Sequence, residues 1–274
     1  MNYSQLNKTS SYLLAFCLLL LNLPASASED KIGLPRMELG VSMFALRAPD
    51  YRGSSHSQNY LLPIPYIKFR SKRLLVDDGI QGLFLNSKDL ILSISANASL
   101  PVDGDNPDRE GMPNLDASIE IGPSLEYRLL KHQLGETWIE IPLRFGFTID
   151  TQPESIGWVL NPKISWRKAS QHLGEWKLRA AFGVLYSTEL YHDYYYQVKP
   201  EQATTSRSVF DAEAGFSGSR TEFSFSRRYG QLWFGGFVRY DDLNNSVVED
   251  SPLVSDSSNL MVGVALGWVF RDYY

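Results

Sequence analysis

The chain has 274 residues, a formal charge of −5 with both signs interspersed along its length, and a single cysteine. No lysine and arginine stripe is available to displace counterions from phosphates, so nucleic-acid binding is disfavoured. With Cys17 as the only thiol, a disulfide framework and a zinc site built of cysteines are excluded.

The chain opens with Lys8, an almost wholly apolar run from Tyr12 to Leu23, and the small-residue site Ala25-Ser26-Ala27. That order predicts a secretory signal over residues 1–27, cleaved after Ala27. Bulky Phe16 before Cys17 argues against lipid attachment there. The remainder, 28–274, reads as one domain, with no internal repeat or low-complexity tract.

Beyond Ala27 no segment has the length of a membrane-spanning helix, about 20 residues, but a β-barrel hides its apolar residues at every second position. Period two recurs along the whole chain. Met37, Leu39, Val41, Met43 and Ala45 alternate with Glu38, Gly40 and Ser42. Leu90, Leu92, Ile94, Ala96 and Ala98 alternate with Ser93, Ser95, Asn97 and Ser99. Ile119, Ile121, Leu125, Tyr127 and Leu129 oppose Glu120, Ser124, Glu126 and Arg128, and Ile139 to Ile149 repeat the scheme against Glu140, Arg144 and Thr148. Trp158 to Trp166, Trp176 to Tyr186, Phe210 to Phe216, Phe223 with Phe225, and Leu232 to Tyr240 continue it. The last segment places Leu260, Val262, Val264, Leu266, Trp268 and Phe270 on one face and small residues on the other, before Tyr273 and Tyr274. Such an aromatic-tipped strand suits recognition by a barrel-insertion machinery. Apolar strands of about ten residues with aromatics near their ends fit a tilted crossing of a bilayer, whereas a soluble barrel would bury its apolar face.

The expected fold is therefore all-β: an antiparallel transmembrane β-barrel of the Gram-negative outer membrane, with about twelve strands and ten as the alternative. The predicted strands lie near 36–47, 58–69, 73–85, 89–99, 116–129, 136–149, 157–169, 175–187, 206–216, 219–228, 231–241 and 259–270. With that set the long connections near 48–57 and 242–258 emerge opposite those near 100–115, 150–156 and 188–205, although bacterial barrels keep their long loops at one end.

Inward faces carry Glu38, Glu120, Glu126, Arg128, Glu140, Arg144, Lys163, Arg167, Lys177, Arg179, Asp211, Glu213, Arg228 and Arg239. Opposite signs on neighbouring strands predict ion pairs that fill a narrow lumen, in preference to a selective pore. Neither a metal, a cofactor nor a catalytic residue is expected. His132 and His172 fall in predicted turns, and His56 sits in a loop beside Ser54, Ser55 and Ser57 without an acid partner. The most suggestive spot is His192-Asp193 with Glu189 nearby, since a histidine and an acid at a barrel rim can activate water. A second acid pair across the mouth is not indicated, and the tyrosines from Tyr191 to Tyr196 read as an interface girdle.

Three stretches carry a family resemblance. The first is Pro49-Asp50-Tyr51-Arg52-Gly53-Ser54 followed by Leu61-Leu62-Pro63-Ile64-Pro65-Tyr66-Ile67, whose prolines are expected to cap or bulge a strand. The second is Tyr194-Tyr195-Tyr196-Gln197-Val198, then Pro200-Glu201-Gln202-Ala203, Ser206 and Ala214-Gly215; the third is Ser251-Pro252-Leu253-Val254. In this order they resemble the MltA-interacting protein (MipA/OmpV) family of outer-membrane proteins, with Gln197 standing where the family usually has glycine. The resemblance implies a role without chemistry: a scaffold joining a lytic transglycosylase to a bifunctional penicillin-binding protein in murein synthesis, other members being described in adhesion or osmotic response. A small-solute channel is the alternative, and a hydrolase acting at the rim a further one.

Overall fold

The computed structural model describes residues 34–71, 74–76, 80–102, 106–169 and 172–274; the expected signal over 1–27 lies outside them. The strands are β1 (Met37–Pro49), β2 (Ser57–Arg70), β3 (Leu74–Val76), β4 (Ile80–Asn86), β5 (Leu90–Ser99), β6 (Ser118–His132), β7 (Gly135–Thr148), β8 (Ser155–Leu160), β9 (Lys163–Lys168), β10 (Lys177–Ser187), β11 (Gly215–Tyr229), β12 (Leu232–Asp242) and β13 (Ser258–Tyr273). One short helix, α1 (Glu189–Tyr196), lies between β10 and β11.

All of these strands belong to one antiparallel sheet, and it closes on itself. β1 pairs with β2 on one side and with β13 on the other, from Met37↔Tyr273 to Arg47↔Val262. β10 pairs with β11 from Lys177↔Ser226 to Ser187↔Gly215, so no open edge remains between the two halves. β8 and β9 lie in line between β7 and β10, interrupted at Asn161-Pro162 because proline has no amide hydrogen to give the ladder. The break is bridged: the Asn161 amide donates to Pro142 O (3.1 Å), the Val184 amide to Pro162 O (3.1 Å), and the Asn161 side chain to Val184 O (2.9 Å).

The prolines of β2 cost the sheet little. Register with β1 runs unbroken through Pro63↔Met43 and Pro65↔Val41. Among the described residues, the other side of β2 is paired only at Phe69 and Arg70, so the missing amides fall where the ladder asks for few donors.

Three predicted strands need correction. Residues 206–214 form no strand, and β11 begins only at Gly215; the ladder contact of 206–214 is the bridge Val198↔Phe210, and Phe210 and Ala212 are instead drawn inward from a loop, which imitates alternation. The predicted strand 73–85 is a hairpin of β3 and β4 joined at Val76↔Ile80, and 157–169 is divided between β8 and β9. Removing one strand late and adding one early reverses the direction of the chain between them. Every long connection, 50–56, 100–117, 149–154, 188–214 and 243–257, then leaves from the same end of the barrel.

The faces are decided by burial. Val41 is 59% exposed, Leu266 56% and Trp268 52%, while Glu38 is 1% and Glu120 2% exposed. Apolar side chains out and charges in is the inverse of a soluble barrel and the arrangement that lipid selects. Leu266, midway along β13 on the outer face, gives a direct test. Leu266→Arg is expected to lower the stability of the vesicle-inserted barrel by about 2–4 kcal/mol, measured by guanidinium titration.

Candidate functional site

The lumen is spanned by ion pairs that follow from strand register. On β7, Glu140 accepts from Arg179 of β10 (2.7 Å), faces Arg167 and Lys163 of β9 (Lys163 Nζ at 3.6 Å), and takes a short hydrogen bond from the Ser165 hydroxyl. Across from it, Glu222 of β11 meets Arg239 of β12 (3.1 Å), with Lys163 and Arg179 each at 3.7 Å. Arg167 also donates to Glu126 of β6 at 2.7 Å. Near the short-turn end, Glu38 accepts from Arg70 (2.7 Å), Arg228 (2.9 Å) and the Tyr66 hydroxyl (2.9 Å), and Arg228 grips both carboxylate oxygens of Asp272 at 2.7 Å. Near the long-loop end, Arg144 pairs with Glu120 (3.0 Å), and Asp241 accepts from Arg220 (2.7 Å) and Arg52 (3.0 Å).

Ten of the predicted inward charges therefore meet in the lumen: Glu38, Glu120, Glu126, Glu140, Arg144, Lys163, Arg167, Arg179, Arg228 and Arg239. Arg128 instead pairs with Asp89 and Glu136 at the short-turn rim, and Lys177 is half-buried on β10. Asp211 and Glu213 do not belong to the lumen at all, since their segment is an exposed loop. Missing from the expected set were Arg52, Arg70, Arg220, Glu222, Asp241 and Asp272. Arg220 follows the irregular stretch at Gly218, whose φ of +99 resets the alternation, and Arg52 reaches down from a loop, where period two has no meaning.

That loop is part of a cap over the long-loop end. Its core holds Tyr51, Val102, Leu115, Ile156, Tyr191, Tyr195, Tyr196, Val198, Leu243, Val248 and Leu253, drawn from four of the five long connections and from the tip of β8 beneath. Three of the four tyrosines of α1, Tyr191, Tyr195 and Tyr196, bury their rings, Tyr194 is half-buried, and each hydroxyl finds a different neighbour. Tyr191 donates to Glu120 (2.9 Å), Tyr194 to Asp116 O (3.1 Å), Tyr196 to Arg52 O (2.9 Å), and Tyr195 lies 3.3 Å from the Ser118 hydroxyl. The expected interface girdle is thus a set of buried clamps.

α1 can sit this low because of Gly157 on β8. Its φ is +91, and a Cβ there would strike Thr188 Oγ1 and the Tyr191 amide nitrogen, the first turn of the helix.

The three family-like stretches, remote in sequence, meet in this cap. Tyr51 donates to Leu253 O (2.8 Å) and packs edge-on against Tyr196 at 6.2 Å; Ser251 donates to Tyr196 O (2.8 Å). Gly53, at φ +94, gives its amide to Asn259 Oδ1, and Asn259 returns a bond to Ser54 O (2.8 Å). Arg207 fastens the last turn of this arrangement, donating to Asp108 O, Glu110 O and Gln202 O within 3.0 Å.

His192 is wholly buried in the cap, its Nδ1 2.5 Å from Glu213 O and its Nε2 2.6 Å from Ser217 Oγ. Nδ1–H donates to the carbonyl, and the Ser217 hydroxyl, which itself donates to Ser187 Oγ (2.8 Å), lies against Nε2. Asp193 instead lines a cleft, so the histidine and acid of the most suggestive spot are not brought together as a pair. His56 lies in an exposed loop, His132 closes β6 and His172 lies in the turn after β9, exposed beside Glu175. Among the described residues, no group of three metal-ligating side chains is placed to hold an ion.

Burial holds the His192 pKa below the ordinary imidazole value of 6.5. The loosened cap then binds the extra proton, so this residue's contribution is complete above about pH 6.5 and is lost as the pH falls below it. Limited proteolysis of the cap is expected to be faster at pH 5.5 than at pH 7.5, and His192→Gln, which cannot titrate, to narrow that difference.

Residues 40–270 match the family model described as MltA-interacting protein MipA. Comparison with curated proteins gives no match. Among solved structures the chain is similar to a bacterial polysaccharide outer membrane secretin (10% identity, TM-score 0.38, covering 86% of this chain and 98% of that one). It is similar also to an outer membrane channel from Pseudomonas putida F1 (12% identity, TM-score 0.35, covering 90% and 100%). A third is the outer membrane protein OprG from Pseudomonas aeruginosa (9% identity, TM-score 0.24, covering 89% and 100%). With scores this low the barrel rests on its own strand pairings.

Proposed function

The chain belongs to the MltA-interacting protein family, a family of the outer membrane, and from that premise we propose that it is a non-enzymatic scaffold for murein-synthesising and murein-cleaving enzymes. The partners are a lytic transglycosylase and a bifunctional penicillin-binding protein. Residues 1–27 act as the export signal and are removed, and 28–274 form the barrel. β8 and β9 count as one interrupted stave, which makes the barrel one of about twelve, an even number.

The observation that carries the reading is the filled interior. Charges bridge the lumen at its short-turn end, its middle and its long-loop end, and the buried tyrosine cap closes over them. A barrel built this way has its usable surface outside the bore. Long loops of bacterial barrels face outward and short turns face the periplasm. The murein enzymes accordingly dock at the short-turn end, where Arg128, Asp89 and Glu136 form a charged rim. Cross-linking in intact cells followed by pull-down from outer membranes tests this, scored for the two enzyme classes. Recovery of both is expected; recovery of neither overturns the scaffold. Steady single-channel currents from the purified protein would instead support the small-solute channel.

A further inference from the structure

A cleft of about 390 Å³ opens between α1, the connection 100–117 and the start of β8. Its floor and walls are apolar where Met112, Ile156, Leu190 and the Tyr194 ring line it. Into the same space come Asp193 and Gln197, four residues apart and so on one face of the helix. Asp193 Oδ1 and Gln197 Oε1 are buried and accept no hydrogen bond, a state that is costly unless something else supplies the donor. Glu154 adds a further carboxylate to the lining.

Of the two cations at the cleft, Arg109 inside it and Lys199 at its rim, the inner one is committed elsewhere. Arg109 is turned away: it donates to Tyr195 O (3.1 Å) and Pro113 O (3.3 Å), and its guanidinium lies over the Tyr51 ring. Lys199 is exposed, its charge in water at the rim. The buried unpartnered groups here are both acceptors beside an apolar wall, and the volume is that of a small-molecule site. Burial, with Glu189 and Asp211 nearby, raises the Asp193 pKa, and Lys199 offsets only part of that rise.

We propose that this cleft binds an aliphatic primary ammonium, its charge held by Asp193 and Gln197 and its stem laid against Met112, Leu190 and Tyr194. The same chemistry is offered by a free alkylamine or polyamine and by a lysine side chain of a peptide.

Isothermal titration calorimetry of the intact protein in detergent tests the site with n-pentylamine, spermidine, a lysine tripeptide and n-pentanol. Saturable binding of n-pentylamine and none of n-pentanol is expected. Asp193→Asn is expected to weaken it about tenfold or more and Gln197→Gly about threefold, a charged and a neutral hydrogen bond respectively. Tighter binding of spermidine than of the tripeptide assigns the source as a free amine, and the reverse order as a peptide. Each variant is first shown to keep the heat-dependent gel mobility of the folded barrel. Equal binding of n-pentanol, or full affinity in folded Asp193→Asn, overturns the proposal. Neither outcome depends on whether murein enzymes are recovered in the pull-down.

Discussion

Glu140→Ala is expected to cost the barrel about 3 kcal/mol, the lower part of the range for breaking a buried pair from one side. The carboxylate is 5% exposed and stands against Arg179, Arg167, Lys163 and the Ser165 hydroxyl, so its removal leaves more cation than anion in the middle of the lumen. All three cations keep another partner, Arg167 at Glu126 and both Arg179 and Lys163 near Glu222, which is why the cost falls at the low end. Guanidinium titration of the vesicle-inserted protein measures it. The variant Glu140→Leu with Arg179→Leu removes one charge of each sign and is expected to lie closer to the wild type than either single change. A double variant as unstable as the sum of its parts would mean that the two charges act separately, each solvated by water in an open bore.

Much of this arrangement was legible in the sequence because a barrel wall repeats a simple rule. Glu140, Arg144, Lys163 and Arg179 stand at inward positions of strands whose other face is Ile, Phe, Trp and Leu, and period two placed them correctly. The rule failed where the chain leaves the wall. Phe210, Ala212 and Ala214 alternate with charges like a strand, but the alternation there records a loop folded onto a cap. The hairpin of β3 and β4 was hidden for the opposite reason: three paired residues on one side are too few to show a period. The cap itself left only a resemblance as its trace, since hydrogen bonds such as Tyr51 to Leu253 and Ser251 to Tyr196 join residues far apart in the chain. Local pattern carries no information about such pairs.

Tyr196→Ala is expected to cost about 3–5 kcal/mol, the range for truncating a large buried aromatic, with the loss confined to the cap. Its ring packs on Tyr51 and His192, its hydroxyl holds Arg52 O, and its carbonyl receives Ser251, so one side chain and its backbone tie three connections together. Tyr196→Phe removes the hydroxyl bond alone and is expected to cost about 1 kcal/mol. Because Tyr51 and Tyr196 touch, the double alanine variant should fall short of additivity by about 1 kcal/mol or more. Limited proteolysis reads the cap, and hydrogen exchange in β6 and β7 reads the wall, which is expected to stay protected. Conductance then separates the two barriers across the lumen. Lifting the cap withdraws Arg52 from Asp241 and Tyr191 from Glu120, yet the Glu140 and Glu222 clusters lie below and still cross the bore. Planar-bilayer currents are therefore expected to remain absent in Tyr196→Ala. Open-channel currents from Tyr196→Ala alone would show that the cap was the sole closure, and the protein would then be a gated channel and not a filled scaffold.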